Sequence, residues 1–262
     1  MERLSIEEGI DLPWLEREAV NHPIAHAYAL WDLARFPDRV RFVTFRRDGV
    51  PRAYLLIWYG HPSAPVVRWV GEGPPARALV EGLPGRPLAA VVPEEIVADV
   101  QRARGPALEI PILVLSRTGR LNEALPREDE VRRLSGSDSV AVRAFAREQA
   151  GTATELYASI DLERETVWGM FAEARLVAIA RVAVALPSVW VLAGIFVSSP
   201  MRGRGLGTAL VAVATRTAME AGACPVLIVR EDNTSARGAY DRLGYQRVSR
   251  EVWMDAGAGI VP

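Results

Sequence analysis

The chain has 262 residues, half of them apolar and 24% charged, which is the composition of a globular enzyme large enough for one big core or two smaller ones. Its net charge of −1 gives no global field toward nucleic acid or an anionic membrane. All 31 Lys+Arg residues are arginine, which excludes a lysine-dependent nucleotide-hydrolysing phosphate loop and a lysine Schiff base to pyridoxal phosphate.

Residues 7–35 read as two short helices broken at His22 and Pro23. His22 and His26 are four apart, but the intervening proline and the lack of a matching cysteine or acid cluster argue against metal ligation. Two apolar runs, 41–47 and 52–59, flank Asp48-Gly49 and predict a hairpin. His61, before Pro62, reads as a turn residue. A strand at 66–70, a helix at 75–83, a strand at 87–92, a helix at 94–104 and a strand at 107–116 follow. Trp14, Trp31, Trp58 and Trp69 crowd this half as core residues, with one or two available to line an acceptor pocket between domains. A polar segment, 121–136, is the expected linker.

The second half starts with a helix capped by Ser137 or Asp138 and stopping at Gly151. Strands are predicted over 155–160, 166–172, 175–185 and 189–198, with Glu173-Ala174 as the turn of a hairpin. A glycine-rich turn leads into a helix that places Leu206, Leu210, Val213 and Thr217 on one face and ends at Gly222. Cys224, the single cysteine, cannot form an internal disulfide and reads as a buried, inert thiol opening the strand 226–230. A helix over 234–243 and a strand over 246–254 complete the chain. No N-terminal stretch has the apolar core of a secretion signal, and no apolar run is long enough to span a bilayer, so a cytoplasmic protein is expected.

The stretch from Ile195 to Leu210 carries the most chemistry. A β-prone run ends in a polar turn, and Arg202, Gly203, Arg204, Gly205, Leu206 and Gly207 open a helix at once. The first N–H groups of such a helix lack intrahelical acceptors and share the positive end of its dipole, which makes an anion site. Glycines let a pyrophosphate approach the backbone closely. The spacing is G-x-G-x-G rather than G-x-G-x-x-G, and Glu220 and Glu231 do not end a strand at the offset a dinucleotide site needs.

Arg202-Gly-Arg-Gly205-Leu-Gly207 resembles the [RQ]-x-x-G-x-[GA] signature of the GNAT acyltransferases, which use acetyl-coenzyme A. Asn233, Ala236, Tyr240, Gly244 and Tyr245 are similar to that family's N-x-x-A-x-x-x-Y-x-x-x-G-[FY] segment. The resemblance spans roughly residues 138–254 and is nearest to the FR47-like, glycine N-acyltransferase-like branch. It implies an α/β (α+β) fold with a mixed, mostly antiparallel twisted sheet flanked by helices. The strand-helix-strand-helix-strand order of the first half echoes the second, so tandem GNAT-like domains are expected: a degenerate one at 1–120 and a catalytic one at 137–262. The degenerate turn, Gly71-Glu-Gly-Pro-Pro75, carries an acid and two residues without an N–H.

By the same resemblance, Ile195, Phe196 and Val197 would offer backbone groups to the pantetheine arm, and Arg202, Gly203, Arg204, Gly205, Leu206, Gly207 and Thr208 would hold the pyrophosphate. Tyr240 would protonate the departing thiolate, against the alternative of a core aromatic. Asn233 either contacts the cofactor arm or caps its helix. No acid stands on the strand before the turn, and Glu155, Glu173, Glu231 and Asp232 remain open as bases. The implied reaction moves an acetyl or short acyl group to a small-molecule amine or amino acid, with no nucleic-acid or membrane partner. The alternatives are a non-catalytic acyl-coenzyme A sensor and an enzyme acting on a protein or peptide amine.

Overall fold

The computed structural model describes residues 3–121, 123–149, 157 and 160–260. The chain divides into two compact units: Met1–Leu113 with Arg230–Asp232 and Ser249–Pro262, and Val114–Val229 with Asn233–Val248.

In the first unit, β1 (Leu4–Glu8), β2 (Val40–Arg47), β3 (Val50–Trp58) and β4 (Val66–Val70) pair antiparallel in sequence order. β5 (Leu88–Pro93) joins β4 in parallel, and the end of β12 (Gln246–Ala256) pairs antiparallel with β5. The parallel step from β4 to β5 needs a crossover. It is made by α3 (Gly73–Ala78) and the 3₁₀ turn Leu79–Gly82. α4 (Val97–Arg104) follows β5 and leads to β6 (Leu108–Ser116). One sheet face buries Leu55, Ile57, Val67, Val92 and Met254 with Leu79 and Ile96. The opposite face buries Phe42, Tyr54 and Leu56 under Leu15 of α1 (Leu12–Asn21) and Ala29 of α2 (Pro23–Arg35). Both faces being covered, β3 is apolar without alternation from Ala53 to Ile57.

Local chemistry explains the boundaries. Asp11 accepts the Trp14 N–H at 2.8 Å to start α1, and Pro23 opens α2 where its missing N–H costs nothing. Asp48 and Gly49 both have positive φ, 51° and 79°, as the two-residue hairpin turn requires. Three expectations change. Glu7 and Glu8 end a strand, β1, rather than open a helix. The helix expected over 75–83 is a six-residue α-helix followed by 3₁₀, and the one over 94–104 begins as 3₁₀ at Glu94–Ile96.

In the second unit, β7 (Arg132–Arg133), β8 (Val167–Ala172), β9 (Arg175–Ala185) and β10 (Val189–Val197) pair antiparallel in order, and β11 (Cys224–Arg230) pairs with β10 in parallel. α5 (Ser139–Glu148) packs over this sheet, and α6 (Leu206–Glu220) is the crossover between β10 and β11. α7 (Thr234–Arg242) follows β11. Glu173 and Ala174, at φ 49° and 65°, make the β8–β9 turn. Of the two expected caps, Asp138 takes the N-cap position of α5, but its side chain is spent on a capping box with Ser135 across the 3₁₀ turn that enters the helix. The strand expected over 155–160 falls mostly outside the described residues, as do Glu155 and Gly151. The buried face of α6 is wider than Leu206, Leu210, Val213 and Thr217: Ala209, Val211, Ala212, Ala214, Thr215 and Ala218 are also buried, whereas Val213 and Thr217 are only half-buried. Arg216 on α6 binds the carbonyls of Leu121 and Glu123 and, at 3.0 Å, the Glu128 carboxylate, which lays the 121–130 segment along this helix. Each unit is thus a mixed, mostly antiparallel sheet flanked by helices, as expected.

Candidate functional site

β10 runs beside β11 only as far as the Leu192–Leu227 pair; from Ala193 onward the two parallel strands have no further register. β10 keeps its antiparallel contact with β9 by way of a bulge between Ala193 and Phe196, where Gly194 has φ 60°. The fully buried Tyr157 donates its hydroxyl to the Gly194 carbonyl and meets Phe196 edge-on with ring centroids 6.1 Å apart. The Ser198 N–H bonds Val177 of β9 at 2.9 Å. By strand alternation, the N–H and C=O groups of Ile195 and Val197 therefore face the opened β11 side. Arg202 donates Nε to the Val197 carbonyl at 3.2 Å, so at that residue the N–H stays free and the carbonyl does not.

The chain then makes the 3₁₀ turn Ser199–Met201 and reaches α6 through Gly203 and Gly205, at φ 73° and 81°. Gly205 is the N-cap, with a left-handed backbone that a side chain would strain. The first bond of the helix is the Ala209 N–H to the Gly205 carbonyl at 3.0 Å. Among the described residues no acceptor is found for the six consecutive N–H groups from Gly203 to Thr208. No protein atom lies within 4 Å of where a Cβ would sit on Gly203 or Gly205. Arg127 donates to the Arg204 carbonyl at 3.3 Å, so that carbonyl is held by a cation. Of the sequence-marked residues, Gly203 to Thr208 therefore form one row of free donors at the positive end of a 15-residue helix, whereas the Arg202 N–H, expected among them, is taken by the Ser199 carbonyl at 3.3 Å.

Asn233 caps α7, its side chain accepting the Ala236 N–H at 3.1 Å. Tyr240 and Tyr245 lie with ring centroids 6.1 Å apart and differ in what their hydroxyls do. Tyr245 is paired with Thr215 at 2.6 Å, a closed core interaction. Tyr240 is 6% exposed, and its hydroxyl has no hydrogen-bond partner among the described residues. Burial pushes its pKa up to about 12, so the phenol holds its proton at neutral pH and is equipped as a donor.

Carboxylates are less forthcoming. Glu173 sits in the β8–β9 turn. Glu231 holds Arg250 at 2.9 Å, and Asp232 holds Arg230 at 2.6 Å. His26 is buried and shares a 2.9 Å hydrogen bond with Tyr54, and no group of three metal-ligating side chains exists among the described residues. Cys224 is half-buried, and burial raises its thiol pKa. Sequence reasoning missed Tyr157 and Gly194; a lone glycine inside an apolar strand was the available signal for the bulge.

Residues 136–245 match the model of the acetyltransferase (GNAT) family. No curated protein matches the chain by sequence. Among solved structures, a Drosophila protein superposes with a TM-score of 0.72 at 16% identity, covering 97% of this chain and 99% of its own. A GCN5-related N-acetyltransferase-like protein from Streptococcus suis gives 0.64 at 12% identity over 93% and 98%. A tandem GNAT protein from the clavulanic acid biosynthesis pathway gives 0.60 at 17% identity over 97% and 99%. At these identities the likeness is one of fold. No described helix is long and apolar enough to cross a membrane. Residues 136–245 are thus similar to the acetyltransferase (GNAT) family.

Proposed function

We propose that the chain is an acetyl-coenzyme A-dependent N-acyltransferase whose cofactor site lies wholly in the second unit. The observation that carries this reading is the row of six unpaired N–H groups from Gly203 to Thr208. Gly203, Arg204 and Gly205 are exposed and Leu206 to Thr208 buried or half-buried, so the row opens outward, as a helix N-terminus that takes an anion does. These N–H groups and the helix dipole would hold the pyrophosphate, with Arg202 and Arg204 beside it. The open edge of Ile195 and Val197 would take the amide groups of the pantetheine arm, and the Val197 N–H would steady the developing oxyanion. Phe196 points its groups to β9 and supports that edge rather than bonding the arm. Asn233 acts as a helix cap.

Transfer is direct. The neutral amine attacks the thioester carbonyl carbon, the carbon–sulfur bond breaks, and the thiolate takes the Tyr240 proton. The proton lost from the new amide nitrogen goes to solvent, which also restores Tyr240. Holding amine and thioester in line can supply about 7–11 kcal/mol of the barrier reduction. The acceptor class is a small amine or amino acid, and residues 1–120 form a GNAT-like domain that does not bind the cofactor.

Calorimetric titration tests the reading. Acetyl-coenzyme A should bind saturably, and S-acetylpantetheine, which lacks the pyrophosphate, should bind far more weakly. Equal binding of the two would remove the phosphate role from residues 202–208. Release of free thiol on adding small amines then separates an enzyme from an acyl-coenzyme A sensor.

A further inference from the structure

Arg68 differs from several arginines of the first unit that are tied by ion pairs or hydrogen bonds. Arg46 pairs with Glu7 at 3.1 Å, Arg77 with Asp99 at 2.7 Å and Arg250 with Glu94 and Glu231. Arg104 binds the carbonyls of Leu83 and Pro84. The half-buried Arg68 has neither an ion pair nor a hydrogen bond to its guanidinium among the described residues. Its guanidinium carbon lies over the Tyr28 ring, 3.6 Å from the centroid. That cation–π contact holds the group in place without using its N–H donors. None of its nitrogens is both fully buried and unpaired, so the donors stay open to solvent.

Two carboxylates stand in its field without bonding to it. Asp32 is one turn beyond Tyr28 on α2, on the same helix face. Glu251 is on β12; Arg68, Val91 and Trp253 are successive partners across β4, β5 and β12, and Glu251, two residues from Trp253, shares their sheet face. That is the face covered by α2. Ser249 donates to one Glu251 oxygen at 3.1 Å; neither Asp32 oxygen has a partner among the described residues. Burial raises the pKa of both carboxyl groups, that of Asp32 to about 6, and the nearby Arg68 charge offsets this only in part.

A cation held over a ring with its N–H donors unpaired, beside two carboxylates that do not bond to it, selects its ligand by charge. A simple anion would meet Asp32 and Glu251, and a simple amine would meet Arg68. A molecule with a carboxylate next to an ammonium satisfies both. We propose that Arg68, held over the Tyr28 ring, forms with Asp32 and Glu251 a binding site in the first unit for a free amino acid. The α-carboxylate would sit on the Arg68 fork and the α-ammonium between the two acids. This site stands apart from the proposed transfer reaction and needs no part of the 202–208 turn.

The test titrates the full chain with glycine, N-acetylglycine and glycine methyl ester, followed by calorimetry and tryptophan fluorescence. Saturable binding of glycine is expected, weakened at least tenfold for the analogue lacking the cation and for the one lacking the anion. Arg68→Met and the isosteric Asp32→Asn should each weaken glycine binding by a similar factor while leaving acetyl-coenzyme A affinity unchanged. In Gly205→Val, glycine should still bind. The proposal fails if glycine does not bind at millimolar concentrations, if it binds equally well in Asp32→Asn and Arg68→Met, or if binding disappears in Gly205→Val.

Discussion

Two strand-to-helix turns in this chain invite comparison, one in each unit. Both follow a buried strand and both contain glycines at positive φ. After β10 the turn delivers six free N–H groups to a helix of 15 residues. After β4 the turn carries Glu72 as N-cap without a side-chain bond, then Pro74 and Pro75, which have no N–H to give, and a helix of only six residues. A Cβ on Gly71 would come within 2.5 Å of the Ala53 Cβ, so that glycine serves close packing of the backbone and not an open cradle. The same outline thus yields a row of free donors in one unit and a packed corner in the other. What separates them is donor count, helix length and the sign of one side chain.

The comparison breaks most readily at Gly205. Gly205→Val would force a β-branched residue to φ 81° and swing the neighbouring N–H groups out of line. Acetyl-coenzyme A affinity should fall ~100-fold or more, about 2.7 kcal/mol, as measured by calorimetry. The open space around the glycine means that the thermal midpoint should drop only modestly. Survival of binding would make the two turns equivalent after all. Next in size is Tyr240→Phe, which should keep cofactor binding and slow thiol release ~100-fold, a usual loss for one general acid. Tyr245→Phe should leave turnover nearly intact and instead lower stability by ~1 kcal/mol through the broken Thr215 bond.

A third prediction concerns pH and the first unit. Burial lowers the His26 pKa from 6.5 to about 4. The unfolded chain therefore takes up this proton first, and the contribution of His26 is present above pH 6.5 and lost as pH falls toward 4. Asp32 has the opposite sign: its raised pKa favours the folded state below pH 3.8, an advantage lost as pH rises through about 6. His26→Gln should remove a decline of up to ~3 kcal/mol between pH 6.5 and 4. Asp32→Asn should steepen that decline. Denaturant midpoints across this range check both slopes. The smallest effect is expected at the other turn: adding Glu72→Gln and Pro74→Ala to Gly205→Val should restore no acetyl-coenzyme A binding, because α3 remains too short to gather donors.

Much of the fold was legible in both units where the punctuation is strong. Asp48-Gly49 and Glu173-Ala174 mark hairpins, and three alternating glycines mark the entry to α6. β1 was hidden because only Ser5 of its five residues is even partly buried and its apolar Leu4 and Ile6 are exposed, leaving no buried face to detect. The wide burial of α6 came from its alanines, which fit anywhere on a helix and so carry no periodic signal. Within the candidate site, the donor row followed from the glycine spacing, whereas the bulge and its Tyr157 anchor depend on a contact between distant segments. Arg68, Asp32 and Glu251 come from β4, α2 and β12, and nothing in the chain order announces that they meet.

The early end of the β10–β11 pairing has a consequence for amide exchange. Backbone N–H groups of Leu192 and earlier in β10 are locked in the sheet, while those of Ile195 and Val197 face an empty strand position and should trade hydrogen with solvent quickly. A linear ligand with its own amides would fill that position as a short surrogate strand. Deuterium uptake would then slow at Ile195 and Val197 and hold steady at Leu192, so the sheet itself would report occupancy, residue by residue.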